Sequence, residues 1–174
     1  MKNKPLKPIS AQTSVFFSLI NDILVHPEVQ KMENFIQHGT TTCLSHSLYV
    51  AYTAYCLSNS LKISTREVAR GAMLHDFYLY DWHIKGDRKG LHGFTHPKDA
   101  LKNATHYFEL SAIEMQIIER HMWPLTLKPP TKKAALIVTL CDKYCTVLET
   151  LGFEDNDLIK NLLDYAHQLN SQTF

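Results

Sequence analysis

Histidines and aspartates on apolar helix faces are the residues of this sequence best suited to chemistry. His75 and Asp76 stand side by side after a run, 65–74, that favours a helix. An imidazole and a carboxylate so placed can bind one cation, provided that the helix stops there and both side chains turn toward it. Because such pairs also occur by chance, the prediction depends on further candidates before and after the pair: His46, His96, His121 and Asp142.

Asp142 is the most informative single residue of this set. Val138 lies four residues before it and Cys145 three residues after it, so the helical period places it on an apolar face. An ionised carboxylate there is costly unless a cation or several hydrogen-bond donors meet it. For Asp142 alone, an internal salt bridge or a helix cap is the competing interpretation.

His46 and His121 face inward by the same argument, since His46 precedes Tyr49 and Val50 and His121 follows Ile117 and Ile118. A lone core histidine is usually only a hydrogen-bonded structural residue. Three helices that each present such a residue, with a fourth that ends in His-Asp, favour joint metal coordination. Histidine with carboxylate suits first-row transition metals.

Composition limits the classes of protein that these residues can serve. The 174 residues predict one domain with a sizeable core, since 45% are hydrophobic and 20% charged. No apolar run has the roughly 18 residues of a membrane helix. The net charge of +1 and scattered basic residues exclude a nucleic-acid footprint. A small basic group at 85, 88, 89 and 98 suits a small anionic ligand.

The termini and cysteines complete this outline. Residues 1–9 are expected to form a flexible arm, because no apolar segment of a secretory signal follows the basic start. The cysteines at 43, 56, 141 and 145 form no Cys-x-x-Cys pair, which predicts reduced thiols in a cytoplasmic protein.

The elements that must position the candidates are all helical. We expect an all-α domain over 10–174 with seven or eight helices, at 11–25, 27–35, 41–58, 65–74, 97–108, 111–122, 131–151 and 154–170. Ser64 and Ser111 read as the start of capping boxes with Glu67 and Glu114. His96 is expected at or just before an N-cap, because Pro97 suits the first helical position. Residues 37–38 are expected in a turn, and no segment predicts a strand.

The order His46, His75-Asp76, Asp142 on a helical background resembles the HD-domain metal-dependent phosphohydrolases over about 37–151. The pattern looks closest to bacterial HD hydrolases of dinucleoside polyphosphates. The resemblance implies a helical bundle in which His46, His75, Asp76 and Asp142 hold one metal. Asp76 would bridge to a second metal held by His96 and His121. It also implies one or two divalent ions (iron, manganese, nickel, cobalt or zinc, with magnesium as a further option) that activate a water.

One position departs from that family. Many relatives place a lysine three residues after the HD aspartate, where this sequence has Leu79. The candidates to replace it are Lys85, Arg88, Lys98 and Lys143. We predict His75, Asp76 and Lys143 as the catalytic residues. His38 and Tyr80 join the basic candidates as predicted substrate contacts, although ordinary turn or packing roles are the alternative for both.

Three functions are compatible with these residues. The favoured one is a divalent-metal phosphohydrolase acting on a nucleotide-like or other small phosphate ester or anhydride. The alternatives are a mononuclear nucleoside monophosphate phosphatase and a non-catalytic sensor that binds metal and nucleotide. A structural site is least favoured, because structural zinc sites are usually cysteine-rich. The expected partner is a small phosphorylated substrate, and a homodimer is compatible with the sequence.

Overall fold

The computed structural model describes residues 9–84 and 90–173. Eight α-helices occupy the described residues, which confirms the all-α class: α1 (Ala11–Leu24), α2 (Pro27–Gln30), α3 (Cys43–Ser60), α4 (Thr65–Met73), α5 (His92–Tyr107), α6 (Ala112–Arg120), α7 (Lys133–Leu151) and α8 (Asn156–Thr173). A 3₁₀ turn at Lys31–Asn34 follows α2, so the predicted helix over 27–35 is divided in two.

Helix α3 is enclosed by its neighbours. It packs against α4, α7 and α8, and it contributes Leu44, Leu48, Val50, Ala51 and Ala54 to the core. The predicted arm at 1–9 lies outside the described residues except for Ile9, which packs against this core. None of the helices in the described ranges has the length and apolarity that a membrane crossing requires. All four cysteines are unpaired, as predicted.

A short hairpin corrects the expectation that the chain has no strands. Strand β1 (Ile36–His38) pairs antiparallel with β2 (Thr41–Thr42). Gly39 makes the turn at φ +54°, a conformation that costs glycine little. Residues 37–38 therefore lie in a strand rather than in a turn. The hairpin is too short to show a period of two in the sequence, yet it positions a side chain at the site.

The start of α5 is also corrected. His96 lies one turn inside the helix and Pro97 follows it, because the helix begins at His92. A residue that precedes a proline is normally disfavoured in helical conformation, but here tertiary contacts override this local preference. The His92 ring stacks on Trp82, with ring centroids 5.2 Å apart, and the His92 carbonyl accepts a hydrogen bond from His96 Nδ1 at 2.9 Å.

The two predicted capping boxes have different outcomes. At α6 the box forms, since Ser111 Oγ accepts from the Glu114 amide at 3.2 Å and Glu114 Oε2 accepts from the Ser111 amide at 2.7 Å. At α4 the prediction is wrong, because the Ser64 hydroxyl contacts the Glu67 carboxylate and caps no amide.

Close packing of α4 on α6 brings two of the candidate segments together. A Cβ atom at Gly71 would lie 2.7 Å from Ile117 Cδ1, so only glycine permits this approach without a shift. The ends of both helices then meet in the interior, and these ends carry His75-Asp76 and His121.

Candidate metal centre

The six predicted ligands converge in one buried cluster. His46 comes from α3, His75 and Asp76 from the end of α4, His96 from α5, His121 from the end of α6 and Asp142 from α7. All six are at most 5% exposed. Separate elements thus deliver every candidate to one place, as joint coordination requires.

Asp76 lies at the middle of the cluster and divides it into two sets. Its Oδ2 atom is 3.4 Å from His75 Nε2 and 3.9 Å from His46 Nε2. Its Oδ1 atom is 3.1 Å from His96 Nε2 and 3.4 Å from His121 Nε2. One carboxylate therefore faces two pairs of imidazoles with its two different oxygens.

Asp142 completes the first set. Its Oδ1 atom lies 3.3 Å from His46 Nε2 and 3.7 Å from His75 Nε2. Its Oδ2 atom accepts a hydrogen bond from Lys143 Nζ at 2.8 Å. The salt bridge that was the alternative interpretation of Asp142 is therefore present, but it occupies only one of the two carboxylate oxygens.

Backbone carbonyls orient three of the histidines. His75 Nδ1 donates to Ala72 O at 2.6 Å, His96 Nδ1 to His92 O at 2.9 Å and His121 Nδ1 to Ile118 O at 2.9 Å. Because a carbonyl only accepts, each Nδ1 carries a proton, and in the neutral ring the Nε2 lone pair faces the centre. Metal-binding histidines are held in this way.

Several buried atoms of the centre lack the partners that their burial requires. His96 Nε2 lies 2.8 Å from His121 Nε2. With both rings neutral, the two Nε2 lone pairs face each other at this distance, and either a proton on one ring or a cation bound by both nitrogens relieves the repulsion. His75 Nε2 and Asp76 Oδ1 are buried and make no hydrogen bond within the protein. Nitrogen and carboxylate donors of this kind fit a divalent transition metal.

The pKa shifts reflect how strongly these groups interact. Burial alone lowers the pKa of His46, but Asp142 and Glu149 raise it to about 9. In the same way Asp76 and Asp142 overcome burial and raise the pKa of His75 to about 10. Against the effect of burial, the histidines hold the pKa values of Asp76 and Asp142 well below the usual range.

His121 shifts in the opposite direction. Burial lowers its pKa to about 4, and Asp76 offsets only part of this effect. The ring is therefore neutral at pH 7, as a metal ligand must be.

Two residues that the sequence reasoning missed hold the ligands in place. Glu149 Oε2 lies 2.7 Å from His46 Nδ1, which forms a carboxylate–histidine pair behind the centre. Glu149 follows Asp142 by two helical turns, so the period of α7 could have identified it. Gln37 Nε2 donates to Asp76 Oδ2 at 2.6 Å. Gln37 comes from the hairpin and gave no local signal.

His38 supports Glu149 rather than the cavity. Its Nε2 atom lies 3.0 Å from Glu149 Oε2, and it is not among the residues that line the cavity over the centre. The structure thus places His38 behind His46, although the sequence suggested a substrate contact.

A cavity of about 210 Å³ opens over the two ligand sets. Its described wall comprises Gln37, Asp76, Trp82, His92, Gly93, His96, His121, Met122, Asp142, Lys143 and Thr146. Lys143 Nζ donates to His121 O at 3.0 Å as well as to Asp142, and its side chain is 39% exposed. Among the four cations proposed to replace the missing lysine, Lys143 is therefore placed at the centre.

The other predicted substrate residues lie farther away or outside the described chain. The Tyr80 hydroxyl donates to Asp99 Oδ2 at 3.1 Å and lies 3.3 Å from His92 Nδ1, so Tyr80 supports the cavity wall from behind. Lys98 lines a separate cavity of about 370 Å³ with Phe94, Pro97 and Leu125. Lys85 and Arg88 lie outside the described residues.

Comparison with known proteins identifies relatives of this architecture. A family model described as "HD domain" matches residues 43–146. The crystal structure of the L. monocytogenes phosphodiesterase PgpH HD domain is similar with a TM-score of 0.51, at 14% identity over 85% of this chain and 97% of that chain. The same domain in complex with cyclic-di-AMP matches with a TM-score of 0.51, at 13% identity over 85% and 95% of the two chains. A search among curated proteins finds no match.

Proposed function

The chain belongs to the HD-domain family of metal-dependent phosphohydrolases, and we propose that it hydrolyses a small, nucleotide-like phosphodiester or phosphoanhydride with two divalent cations. The proposal depends on the position of Asp76, whose two carboxylate oxygens face different pairs of histidines. Oδ2 faces His46 and His75. Oδ1 faces His96 and His121. A carboxylate shared in this way is the usual bridge of a two-metal site.

In this assignment His46, His75, Asp76 and Asp142 would hold the first cation, and Asp76, His96 and His121 would hold the second. Cations bound there would polarise a phosphoryl oxygen and lower the pKa of a water molecule toward neutrality. Asp76 fixes the positions of both sets relative to each other. The described cavity wall contains no serine or cysteine, and its one hydroxyl group, on Thr146, donates to the proposed ligand Asp142 at 3.4 Å. Attack by water is therefore favoured over a covalent route.

Lys143 is the proposed phosphate contact. It lines the cavity and reaches Asp142 Oδ2 at 2.8 Å, so its ammonium group can offset charge on a phosphoryl oxygen beside the metals. This role replaces that of the lysine at the Leu79 position of many relatives. Lys98 would serve only a substrate that extends beyond this cavity.

The aromatic part of the cavity wall is compatible with a nucleotide-like substrate. Trp82 and His92 both line the cavity, and they stack on each other, while Trp82 also stacks on His83 and His92 on His96. This stack gives a base an apolar wall to pack against. The complex of the L. monocytogenes domain with cyclic-di-AMP makes a nucleotide phosphodiester the first substrate to assay.

A sensor that binds metal and nucleotide without turnover is the second candidate. The observation that favours it is the tether on Lys143, whose ammonium group is shared between Asp142 and the His121 carbonyl. A cation held in this way contributes less to a phosphate than a free one. The third alternative, a mononuclear phosphatase, requires that His96 and His121 bind no ion.

The deciding experiment is elemental analysis of protein purified without chelator, followed by a phosphate-release screen with the metal found. We expect close to two ions per chain and turnover of a nucleotide phosphodiester or polyphosphate. His121→Ala should remove one ion and keep the other, while His106→Ala, an exposed histidine on α5, should keep both. One ion with monophosphate turnover favours the mononuclear enzyme, and metal without turnover favours the sensor.

A further inference from the structure

One face of α7 is both apolar and exposed along the whole helix. Its side chains are 40–61% exposed and follow one another at intervals of three or four residues: Leu136, Leu140, Tyr144, Val147 and Leu151. At 3.6 residues per turn they fall within an arc of about 80°. A surface helix of a monomer normally turns polar residues to this side, and a contiguous apolar stripe marks an interaction surface.

This stripe belongs neither to the core nor to the metal centre. The core takes Val138, Cys141 and Cys145 from other sides of α7. The centre uses Asp142 and Glu149, which point in a further direction toward His46. Different sides of α7 thus contribute to the core, to the metal centre and to the exposed stripe. A partner bound to the stripe would not cover the metal ligands.

The charges at the two ends of α7 indicate which partner fits. Lys132 and Lys133 stand at its start, and Glu154 and Asp155 follow its end. When two such helices pack antiparallel, the basic start of each lies beside the acidic end of the other, which is favourable at both ends.

The spacing of the stripe also suits antiparallel pairing with itself. Leu136 lies four residues before Leu140, and Val147 lies four residues before Leu151. A two-fold axis near Tyr144 would therefore place Leu136 against Leu151 and Leu140 against Val147 of the other copy. An isologous contact needs this property, because each residue must match its counterpart on the same surface.

We propose that two copies of this chain associate through the exposed stripe of α7, packed antiparallel about a two-fold axis near Tyr144. A helix of this length spans about 28 Å, so the contact covers less than the roughly 800 Å² per partner of a standard interface. The dimer is accordingly weak and reversible. Its stability comes from the central apolar residues, and its orientation from Lys133 and Glu154.

Sedimentation velocity of the full chain over a wide range of concentration tests this dimer. Wild-type protein should shift from monomer to dimer as concentration rises. Leu140→Lys, in the centre of the stripe, should raise the dissociation constant at least about tenfold. Leu127→Lys is the matched control, because Leu127 is 94% exposed but lies outside α7. It should leave the constant unchanged.

A charge exchange tests the orientation and the identity of the partner. Lys133→Glu and Glu154→Lys should each weaken the dimer about threefold, and the double variant should return to within about twofold of wild type. Circular dichroism checks that each variant is folded. Wild-type protein that stays monomeric at every concentration overturns the proposal, and so does equal behaviour of Leu140→Lys and Leu127→Lys. A double variant weaker than both single variants overturns the antiparallel arrangement.

Discussion

Helix α4 leads to two clusters of buried charge whose hydrogen bonding differs. On its side toward α6, Arg70 Nε donates to Glu114 Oε1 at 3.0 Å and Arg70 Nη1 to Asp22 Oδ1 at 2.6 Å. Glu114 Oε2 accepts from the Ser111 amide. Arg66 Nη1 lies 3.7 Å from Glu114 Oε1, so two guanidinium groups meet two carboxylates. In this ion-pair cluster, charge and hydrogen bonding are balanced by the protein alone.

At the C-terminal end of α4, buried polar atoms are not all paired by the protein. His75 Nε2 and Asp76 Oδ1 have no hydrogen-bond partner in the described chain, and two histidine nitrogens approach each other at 2.8 Å. Burial of charge is common to both clusters, so burial alone does not indicate function. Atoms that lack a partner distinguish the metal centre from the ion pair.

The largest effect is expected from Asp76→Asn. The change keeps the shape of the side chain but removes the charge that both ligand sets share. We expect both ions to be lost or weakly bound and turnover to fall by roughly 10³-fold or more. Elemental analysis and the phosphate-release assay measure this, with Asp157→Asn on the surface of α8 as the control. Full activity with metal bound would show that the centre is assigned wrongly.

Arg70→Met should destabilise the cluster around Glu114 and leave the metal centre unchanged. Glu114 would keep only the more exposed Arg66, whose Nη1 lies 3.7 Å from Glu114 Oε1, as a counter-charge. We therefore expect a loss toward the lower end of the roughly 3–5 kcal/mol of unfolding free energy that breaking a buried ion pair costs. Chemical denaturation in the presence of chelator measures this loss. The double variant Arg70→Met/Glu114→Gln should recover part of it, because the uncompensated charge is removed. Metal content per folded chain should stay unchanged, and a loss of metal without a loss of stability would contradict the comparison.

The sequence could place the candidate ligands in the interior because each lies within a regular helix or directly at its end. His46, His121 and Asp142 could be assigned to buried faces from the helical period alone. The period did not reveal which buried charges lack partners. Arg70 and Glu114 are equally buried, and nothing in the local pattern distinguishes them from the ligands.

The sequence failed where contacts between distant segments override local preference. Gln37 reaches Asp76 from a hairpin with only five strand residues, which is too short for any periodic signal. The first turn of α5 forms before Pro97 because His92 packs on Trp82. Glu149 is the exception, since it could have been found two turns after Asp142 on the same helix. The localisation in the cytoplasm stays a prediction.

Glu149→Gln should have a smaller effect than loss of a ligand. Glutamine can still accept a hydrogen bond from His46 Nδ1, but the negative charge that makes the imidazole a stronger ligand is removed. We expect the affinity of the first site to fall about 10-fold, and about 100-fold for Glu149→Ala. Competition with a chelator measures both, and Glu109→Gln on the surface is the control. Unchanged affinity in both variants would leave Glu149 with a packing role only.

The smallest effect concerns the pH dependence of the stabilisation by metal. In metal-free protein the pKa values of His46 and His75 are about 9 and 10, above the value of about 6.5 in an unfolded chain. Their contribution to stability is therefore fully present below about pH 6.5 and is lost as the pH rises through the two folded values. Both rings must lose a proton to bind metal, so protons compete with the cation throughout this range.

The rise in melting temperature on adding metal should therefore increase from about pH 6.5 to about pH 9. Thermal melts with metal and with chelator at each pH measure the difference. His46→Gln should flatten the slope, because one of the two competing protons is removed, whereas Arg70→Met should lower both melting temperatures and leave the slope unchanged. A metal effect that is constant or falls with pH would mean that His46 and His75 do not exchange their protons for a cation, and the distinction between the two clusters would fail.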